Sequence, residues 1–331
     1  MNYKQSKEIL REIKKAKTVL VNCHVNPDVD SVASCLSIFE LLSNLGKKIT
    51  MISTEEIPSD IKFLVNVDKI QVIDSAKFDF GKYDLFIVLD SSGWDRILPD
   101  IDKDSLKMSI IVIDHHDSNK IEGKITLVDE TASSTSEIIY LLMKDVGVEI
   151  NTNLARNILA GIISDSGGFQ YDKTSSRTLK IASEILDLGV NLNDLILKLF
   201  RSYSVDVLNF WGEILKKIKV DKDNRFAWVT IDLGMNREYK NIGDAKSLAA
   251  NMFLRSIKDT DFGILMTQVE KRKMKASFRE RNGFNVLKIA SSLGGGGHKS
   301  AAGVLIENLS FSDAVEKVLA AARKVARNVK K

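Results

Sequence analysis

Five short apolar runs, at residues 18–23, 49–53, 70–73, 85–89 and 110–113, are separated by helical or polar stretches in the first part of the chain. A strand buried on one face alternates apolar and polar residues, whereas a strand covered on both faces of a parallel sheet reads as an unbroken apolar run. Helical periodicity brackets the first run. Ile9, Leu10 and Ile13 precede it, and a second helix is expected from residue 31 to 45, stopping at Gly46. Strand, loop and helix in repetition predict a doubly wound, mostly parallel sheet. Further helices are expected over 133–146 and 153–163.

The second half reads differently. Residues 189–219 look like a helical connector. A strand follows at 226–231, a helix at 246–255, adjacent strands at 262–269 and 274–278, and a helix at 286–293. A glycine run, a strand at 303–306 and an amphipathic terminal helix complete the pattern. The expected architecture is therefore α/β throughout: a first domain over 1–188, a helical linker over 189–219, and a smaller α/β domain with a mixed sheet over 220–331. With 331 residues, 44% of them hydrophobic, the chain has enough apolar material for two cores.

The net charge of +4 is too small to argue for nucleic-acid binding, and Lys324, Arg327, Lys330 and Lys331 place part of it in a solvated tail. Cys23 and Cys35 are the two cysteines, both in apolar segments without metal-type spacing, so core positions in a reducing cytoplasm are expected. No apolar run is long enough for a bilayer span and the N-terminus lacks a signal-peptide pattern. A cytoplasmic protein without a membrane anchor is expected.

Two of the apolar runs lead directly into acids, Asp90 and Asp114, and ligands of open α/β sheets gather beyond the carboxyl ends of the strands. All four histidines sit in runs that also carry acids or glycines. His24 lies in His24-Val25-Asn26-Pro27-Asp28-Val29-Asp30-Ser31, two more in Asp114-His115-His116, and His298 follows Gly294-Gly295-Gly296-Gly297. Imidazole and carboxylate together suit divalent cations. The plainer reading of the first run is a helix N-cap in which Asp30 or Ser31 satisfies the first amides. Asp165, at the end of a helical run, is a fifth acid able to reach the same crevice, where uncompensated carboxylates would repel one another. The glycine run could form an anion nest assisted by His298 or Lys299, and Arg279 in Ser277-Phe278-Arg279 could clamp a phosphate through paired hydrogen bonds.

Taken in order, the His24 run, the strand-end acid in Val88-Leu89-Asp90-Ser91, Asp114-His115-His116, and Asp165 in Ile163-Ser164-Asp165-Ser166-Gly167-Gly168-Phe169 resemble the motifs of the DHH phosphoesterase superfamily. Ser277-Phe278-Arg279 and the glycine run with His298 and Ala301-Ala302-Gly303 resemble its DHHA1 substrate-binding domain. The chain is most similar to the nanoRNase and pAp phosphatase branch. That resemblance implies hydrolysis of short oligonucleotides to mononucleotides, and of 3′-phosphoadenosine 5′-phosphate (pAp) to AMP. It implies two Mn²⁺ ions, with Mg²⁺ or another divalent cation as the alternative. One ion would be held by His24, Asp28 and Asp90, the other by Asp30, Asp90, His115 and Asp165. Asp114 would orient the site and His116 would face the phosphoryl group or the leaving oxygen. Arg279, Gly296, Gly297 and His298 would grip a terminal phosphate or neighbouring nucleotide. Val29 stands where many members of the branch carry glycine, and Ser31-Val32-Ala33 replaces the commoner Ala-Ile-Gly. The implied partners are short single-stranded RNA or DNA or small nucleotides and no membrane, with a homodimer among the open oligomeric states. A cyclic di-AMP phosphodiesterase is the enzymatic alternative; against the other, a nucleotide sensor without turnover, the complete ligand set argues.

Overall fold

The computed structural model describes residues 2–239, 242 and 245–329, so Lys330 and Lys331 of the expected tail lie outside the described residues. The chain forms two compact units, Met1–Ser202 and Tyr203–Lys331.

The first unit contains α1 (Ser6–Lys15), β1 (Thr18–Asn22), α2 (Val29–Asn44), β2 (Lys48–Ser53), β3 (Ile70–Val72), β4 (Leu85–Leu89), β5 (Ser109–Asp114) and β6 (Ile125–Val128). It continues with α3 (Thr135–Val146), α4 (Thr152–Asp165), α5 (Ser176–Asp187) and α6 (Leu192–Phe200). The strands form one parallel sheet in the order β3-β2-β1-β4-β5-β6. Period-two alternation divides the central strands between two cores. Val19, Val21, Ile87, Leu89, Ile111 and Ile113 face the core to which the helices contribute. Leu20, Phe86, Val88 and Val112 face a second core closed by Ile97, Leu98, Leu106 and Ile121. That face is covered by loops and short 3-10 turns around 75–77, 80–82, 94–96 and 103–105. Both faces are buried, which is why the central residues of β1 and β5 and the whole of β4 read as apolar runs.

The second unit contains α7 (Val205–Lys217), β7 (Lys219–Asp221), β8 (Phe226–Ile231), α8 (Leu233–Glu238), α9 (Ala245–Ala249), β9 (Phe262–Glu270) and β10 (Lys273–Glu280). After these come α10 (Leu287–Ser292), β11 (Gly296–Gly297), β12 (Ala301–Glu307) and α11 (Phe311–Val329). The sheet order is β11-β12-β10-β9-β8-β7, with β8 and β9 parallel and the remaining pairs antiparallel. The mixed sheet packs α10 and α11 on one face. Phe210, Trp211 and Ile214 of α7 join Ala249 and Leu265 in the core of the other.

The connector expected over 189–219 is divided between the units. Leu195 of α6 is buried in the first core and the apolar face of α7 is buried in the second, so both helices are packed rather than spanning. The single helix expected over 246–255 is α9 followed by a π-helical turn, Ala250–Leu254. No helix among the described residues is long and apolar enough to cross a membrane.

Candidate metal centre

Strand order reverses between β1 and β4, which is where a doubly wound sheet opens a crevice at its carboxyl ends. Asn22 holds that opening. Its side chain accepts a hydrogen bond from the Leu89 amide (3.0 Å) and donates one to the Leu89 carbonyl (3.3 Å), tying the ends of β1 and β4 together. His24 follows β1, Asp90 follows β4, and β5 ends on Asp114, with His115 and His116 next. Asp90 has φ +53°, a left-handed conformation that costs a non-glycine residue energy and is tolerated where the surroundings impose it.

Helix termini supply the other acids. Asp28 is the N-cap of α2, accepting from the Ser31 amide at 3.0 Å. The cap is thus Asp28 rather than Asp30 or Ser31, because the helix begins at Val29 and the Ser31 hydroxyl instead accepts from the His24 amide (2.9 Å). Asp28 serves both readings of its run, since its other oxygen faces His24. Asp30, one residue into the helix, is fully buried and accepts from the backbone amides of Thr135 (2.7 Å) and Ser136 (3.0 Å) at the start of α3. A carboxylate at a helix N-terminus is held by free amides and by the helix dipole. Asp165 is the last residue of α4.

The candidate donor atoms gather in three overlapping groups, His24–Asp28–Asp90, Asp30–His115–Asp165 and Asp90–His115–His116, each with its atoms within 4.8 Å of one another. His24 Nε2 lies 3.4 Å from Asp28 and 3.6 Å from Asp90. His115 Nε2 lies 3.2 Å from Asp165 and 3.6 Å from Asp90. The two Asp90 oxygens therefore face different histidines. His24 Nδ1 bonds the Val25 carbonyl at 2.9 Å, and a donor hydrogen there leaves Nε2 free as a ligand. Asp114 lies behind the cluster, accepting from the His115 amide (2.9 Å), from Asn119 Nδ2 (2.6 Å) and from His116 Nδ1 (2.7 Å).

The electrostatics favour added positive charge. Burial first, and repulsion by Asp90 second, raise Asp30 to about 7. Burial and then Asp28 raise Asp90 to about 6, and burial followed by the charges of Asp30, Asp28 and Asp90 pushes Asp165 well up. Burial opposes charge on His24, but its hydrogen bond to Asp28 and the charges of Asp28 and Asp90 outweigh that and raise it to about 9. Burial pushes His115 down. Carboxylates that repel one another when ionised, set beside imidazole nitrogens, fit divalent cations such as Mn²⁺ or Mg²⁺.

In the second unit, Arg279 on β10 donates from Nε to Asn251 Oδ1 (2.5 Å) and from Nη1 to the Phe278 carbonyl (3.0 Å). Asn251 belongs to the π-helical turn, so that irregularity fixes the guanidinium plane. The glycine run, which could form an anion nest, uses several of its amides within the chain. Gly294, Gly295 and His298 donate their amides to Ser291, Ala290 and Ala301, and Gly296–Gly297 pair with β12 as an edge strand. A β-carbon on Gly297, at φ +131°, would lie 2.6 Å from the Ala301 carbonyl oxygen, so glycine permits this close approach. Gly296, Gly297 and His298 are exposed.

Sequence reasoning missed the residues that support the candidate site: Asn22, Asn119, Thr135 and Ser136. It also missed two cations. Arg96 Nη2 lies 3.5 Å from His24 Nδ1, and Lys173 donates to the His115 carbonyl at 2.9 Å. Gly161 on α4 is a further omission, and a glycine inside a helical pattern was the available signal. A β-carbon there would lie 2.6 Å from Asp30 Oδ1 and would also meet Ser136. Gly161→Ala is therefore expected to displace Asp30, to weaken Mn²⁺ binding in titration calorimetry, and to cost roughly 1–3 kcal/mol in urea unfolding despite alanine's better helix propensity. Unchanged metal affinity would show that Asp30 has room to move.

The DHH family N-terminal domain matches residues 18–162 and the DHHA1 domain matches residues 232–328. The bifunctional oligoribonuclease and PAP phosphatase NrnA of Thermus thermophilus is 27% identical, over 97% of this chain and 94% of its own. The protein of the same name from Bacillus subtilis is 28% identical, over 93% and 95%. In fold, the chain matches the crystal structure of an exopolyphosphatase-related protein from Bacteroides fragilis with a TM-score of 0.90 at 24% identity, covering 99% of this chain and 98% of that one. The chain belongs to the DHH family, a phosphoester hydrolase whose DHH domain is followed by a DHHA1 domain.

Proposed function

We propose that this protein hydrolyses short single-stranded oligonucleotides to mononucleotides and converts pAp to AMP, using two divalent cations with Mn²⁺ preferred. The observation that carries the reading is Asp90, whose two oxygens address His24 on one side and His115 on the other. His24, Asp28 and Asp90 would hold one ion, and Asp30, Asp90, His115 and Asp165 the other. Such a pair supplies Lewis-acid stabilisation of phosphoryl oxygens and acidifies the attacking water. The protein's own groups do the rest. Asp114 orients His116 through Nδ1, leaving Nε2 of this partly exposed ring to face the phosphoryl group or donate a proton to the leaving oxygen. The NrnA names of the two relatives support the substrate class. The unpaired, buried Cys23 and Cys35 suit a reducing cytoplasm.

Arg279, Gly296, Gly297 and His298 are proposed to bind the part of the substrate away from the scissile bond. Burial, then the nearby Arg255 charge, hold Arg279 below its usual value, a setting in which an anion is favoured. Arg279→Ala is expected to raise KM for the dinucleotide pApA by roughly 10- to 100-fold, with kcat and metal content little changed. A fall in kcat at constant KM would remove Arg279 from substrate binding.

The function is tested by incubating the purified protein and Mn²⁺ separately with pApA, a short RNA, a long RNA, pAp and cyclic di-AMP, resolving products over time. Fastest turnover of pApA or the short RNA, with release of AMP from pAp, supports the proposal. Fastest turnover of cyclic di-AMP would replace it with a signalling phosphodiesterase, and no turnover of any substrate would leave a nucleotide-binding protein.

A further inference from the structure

The loop after Asp165 brings a lysine back to the candidate metal centre. Ser166, buried, braces the turn: its hydroxyl accepts from the Phe169 amide (3.0 Å) and its carbonyl from the amides of Gln170 (2.8 Å) and Tyr171 (3.0 Å). Gly167, Gly168 and Phe169 are all left-handed there and reverse the chain. Lys173 follows, and its Nζ donates to the His115 carbonyl at 2.9 Å. Asp165 and His115 are thereby joined twice, through their side chains at 3.2 Å and through this lysine on the Asp165 loop.

That bond leaves most of the ammonium unused. It carries three N–H bonds, a carbonyl takes one, and a neutral acceptor does not cancel the charge. Among the described residues its bonded partner is this carbonyl and no carboxylate. The charge reaches the cluster nonetheless. Burial pushes His115 down and the Lys173 charge adds to that, while on Asp165 burial pushes up and the same charge opposes. On His116, burial and the Lys173 charge oppose protonation, and Asp114 and Asp90 outweigh them. Arg96, the other nearby cation, meets His24 at Nδ1, whereas Asp28 and Asp90 lie at Nε2. It is therefore on the far side of that ring from the cluster.

Lys173 also completes the charge balance of the proposed two-cation site. The residues assigned to the cations include four carboxylates, Asp28, Asp30, Asp90 and Asp165, which two divalent ions neutralise without surplus. A phosphodiester adds a negative charge and the attacking oxygen brings another. His116 does not offset them, because Asp114 is bonded to it at 2.7 Å. A fixed positive charge aimed at the phosphoryl oxygens lowers the barrier because nothing has to rearrange as charge develops. Lys173 is such a charge, and its exposure leaves it accessible to substrate.

We propose, on the two-cation reading of this site, that Lys173 is a catalytic residue whose ammonium bonds a non-bridging oxygen of the phosphoryl group under attack while keeping its bond to the His115 carbonyl. The tie to His115 limits the rotamer freedom that a four-carbon side chain would otherwise lose on binding. No bond is made or broken at the nitrogen, which stays an ammonium throughout.

The test compares Lys173→Met, which keeps the length and removes the charge, and Lys173→Arg with the parent in Mn²⁺. The substrates are pApA and the p-nitrophenyl ester of thymidine 5′-phosphate. Lys173→Met is expected to lower kcat about 10- to 100-fold on both, with KM changed far less, and Lys173→Arg to recover part of the loss. The p-nitrophenyl ester separates phosphoryl contact from leaving-group chemistry, because p-nitrophenolate departs without a proton. A second readout is independent of turnover. Mn²⁺ affinity in titration calorimetry should be unchanged or higher in Lys173→Met, since a like charge near the cations is gone. Weaker Mn²⁺ binding together with a lower melting temperature would make Lys173 a structural tie and overturn the proposal. So would parental kcat in Lys173→Met, or a loss confined to pApA. A parent inactive on both esters would instead overturn the two-cation oligonucleotide reading, and the role of Lys173 with it.

Discussion

Asp90→Asn is expected to lower kcat/KM for pApA by at least about 10³-fold, corresponding to roughly 4 kcal/mol of lost transition-state stabilisation. The substitution keeps the shape of the side chain and suits the backbone, since asparagine accepts the left-handed conformation found there, φ +53°. It removes the charge and turns one of two oxygens into a donor that cannot ligate. One Asp90 oxygen faces His24; the other faces His115 and accepts from the Thr135 hydroxyl at 3.0 Å, so either orientation of the amide spoils one side of the cluster. Metal content measured by mass spectrometry should fall with activity. The metal-free variant should be at least as stable as the metal-free parent, because a buried charge among like charges has been removed. Near-normal turnover would mean that Asp90 is not shared between ions, while loss of both activity and fold would show only that it is structural.

The fold was legible where burial is simple. β1, β4 and β5 are covered on both faces, so their apolar runs end where the chemistry starts and place Asp90 and Asp114 almost by inspection. β6 was missed because it is a short edge strand that exposes Thr126 between Ile125 and Leu127, leaving too few apolar residues to mark a run. Helix α5 was missed although Ser175 and Thr178 form a capping box at its start. The candidate ligands were legible because histidine and aspartate are scarce inside apolar surroundings. Their supports were not. Thr135 and Ser136 act through backbone amides, and Gly161 through an absent side chain; such roles are set by the packing of α2 against α3 and α4 and leave little chemical mark on the sequence. Asn22 left a faint one, as the polar residue in an otherwise apolar strand.

Metal-free protein is expected to lose stability as pH rises from about 5 to 8, and to gain more from Mn²⁺ at pH 8 than at pH 5.5. The sign follows from proton counting. Burial and mutual repulsion raise Asp30 to about 7 and Asp90 to about 6 in the folded chain, whereas an unfolded aspartate titrates near ~3.9. Between those values the folded chain holds protons that the unfolded chain has released, so stability falls with rising pH. His24 acts in the same direction: its folded value of about 9 gives stability that is full below the unfolded value near ~6.5 and is lost as pH rises through the folded one. His115 opposes them, because burial lowers it and makes acidification below its unfolded value destabilising. The carboxylates and His24 should dominate, with a combined effect on the order of a few kcal/mol. Cations need the deprotonated forms, so binding reverses the penalty where it is largest. Thermal melts at the two pH values, each with and without Mn²⁺, read the effect directly. An equal Mn²⁺ shift at both, or metal-free stability that rises between them, would show that the acids ionise without strain. Asp30→Asn should then flatten the metal-free slope if the charges are its cause, and leave it unchanged if the slope arises elsewhere in the chain.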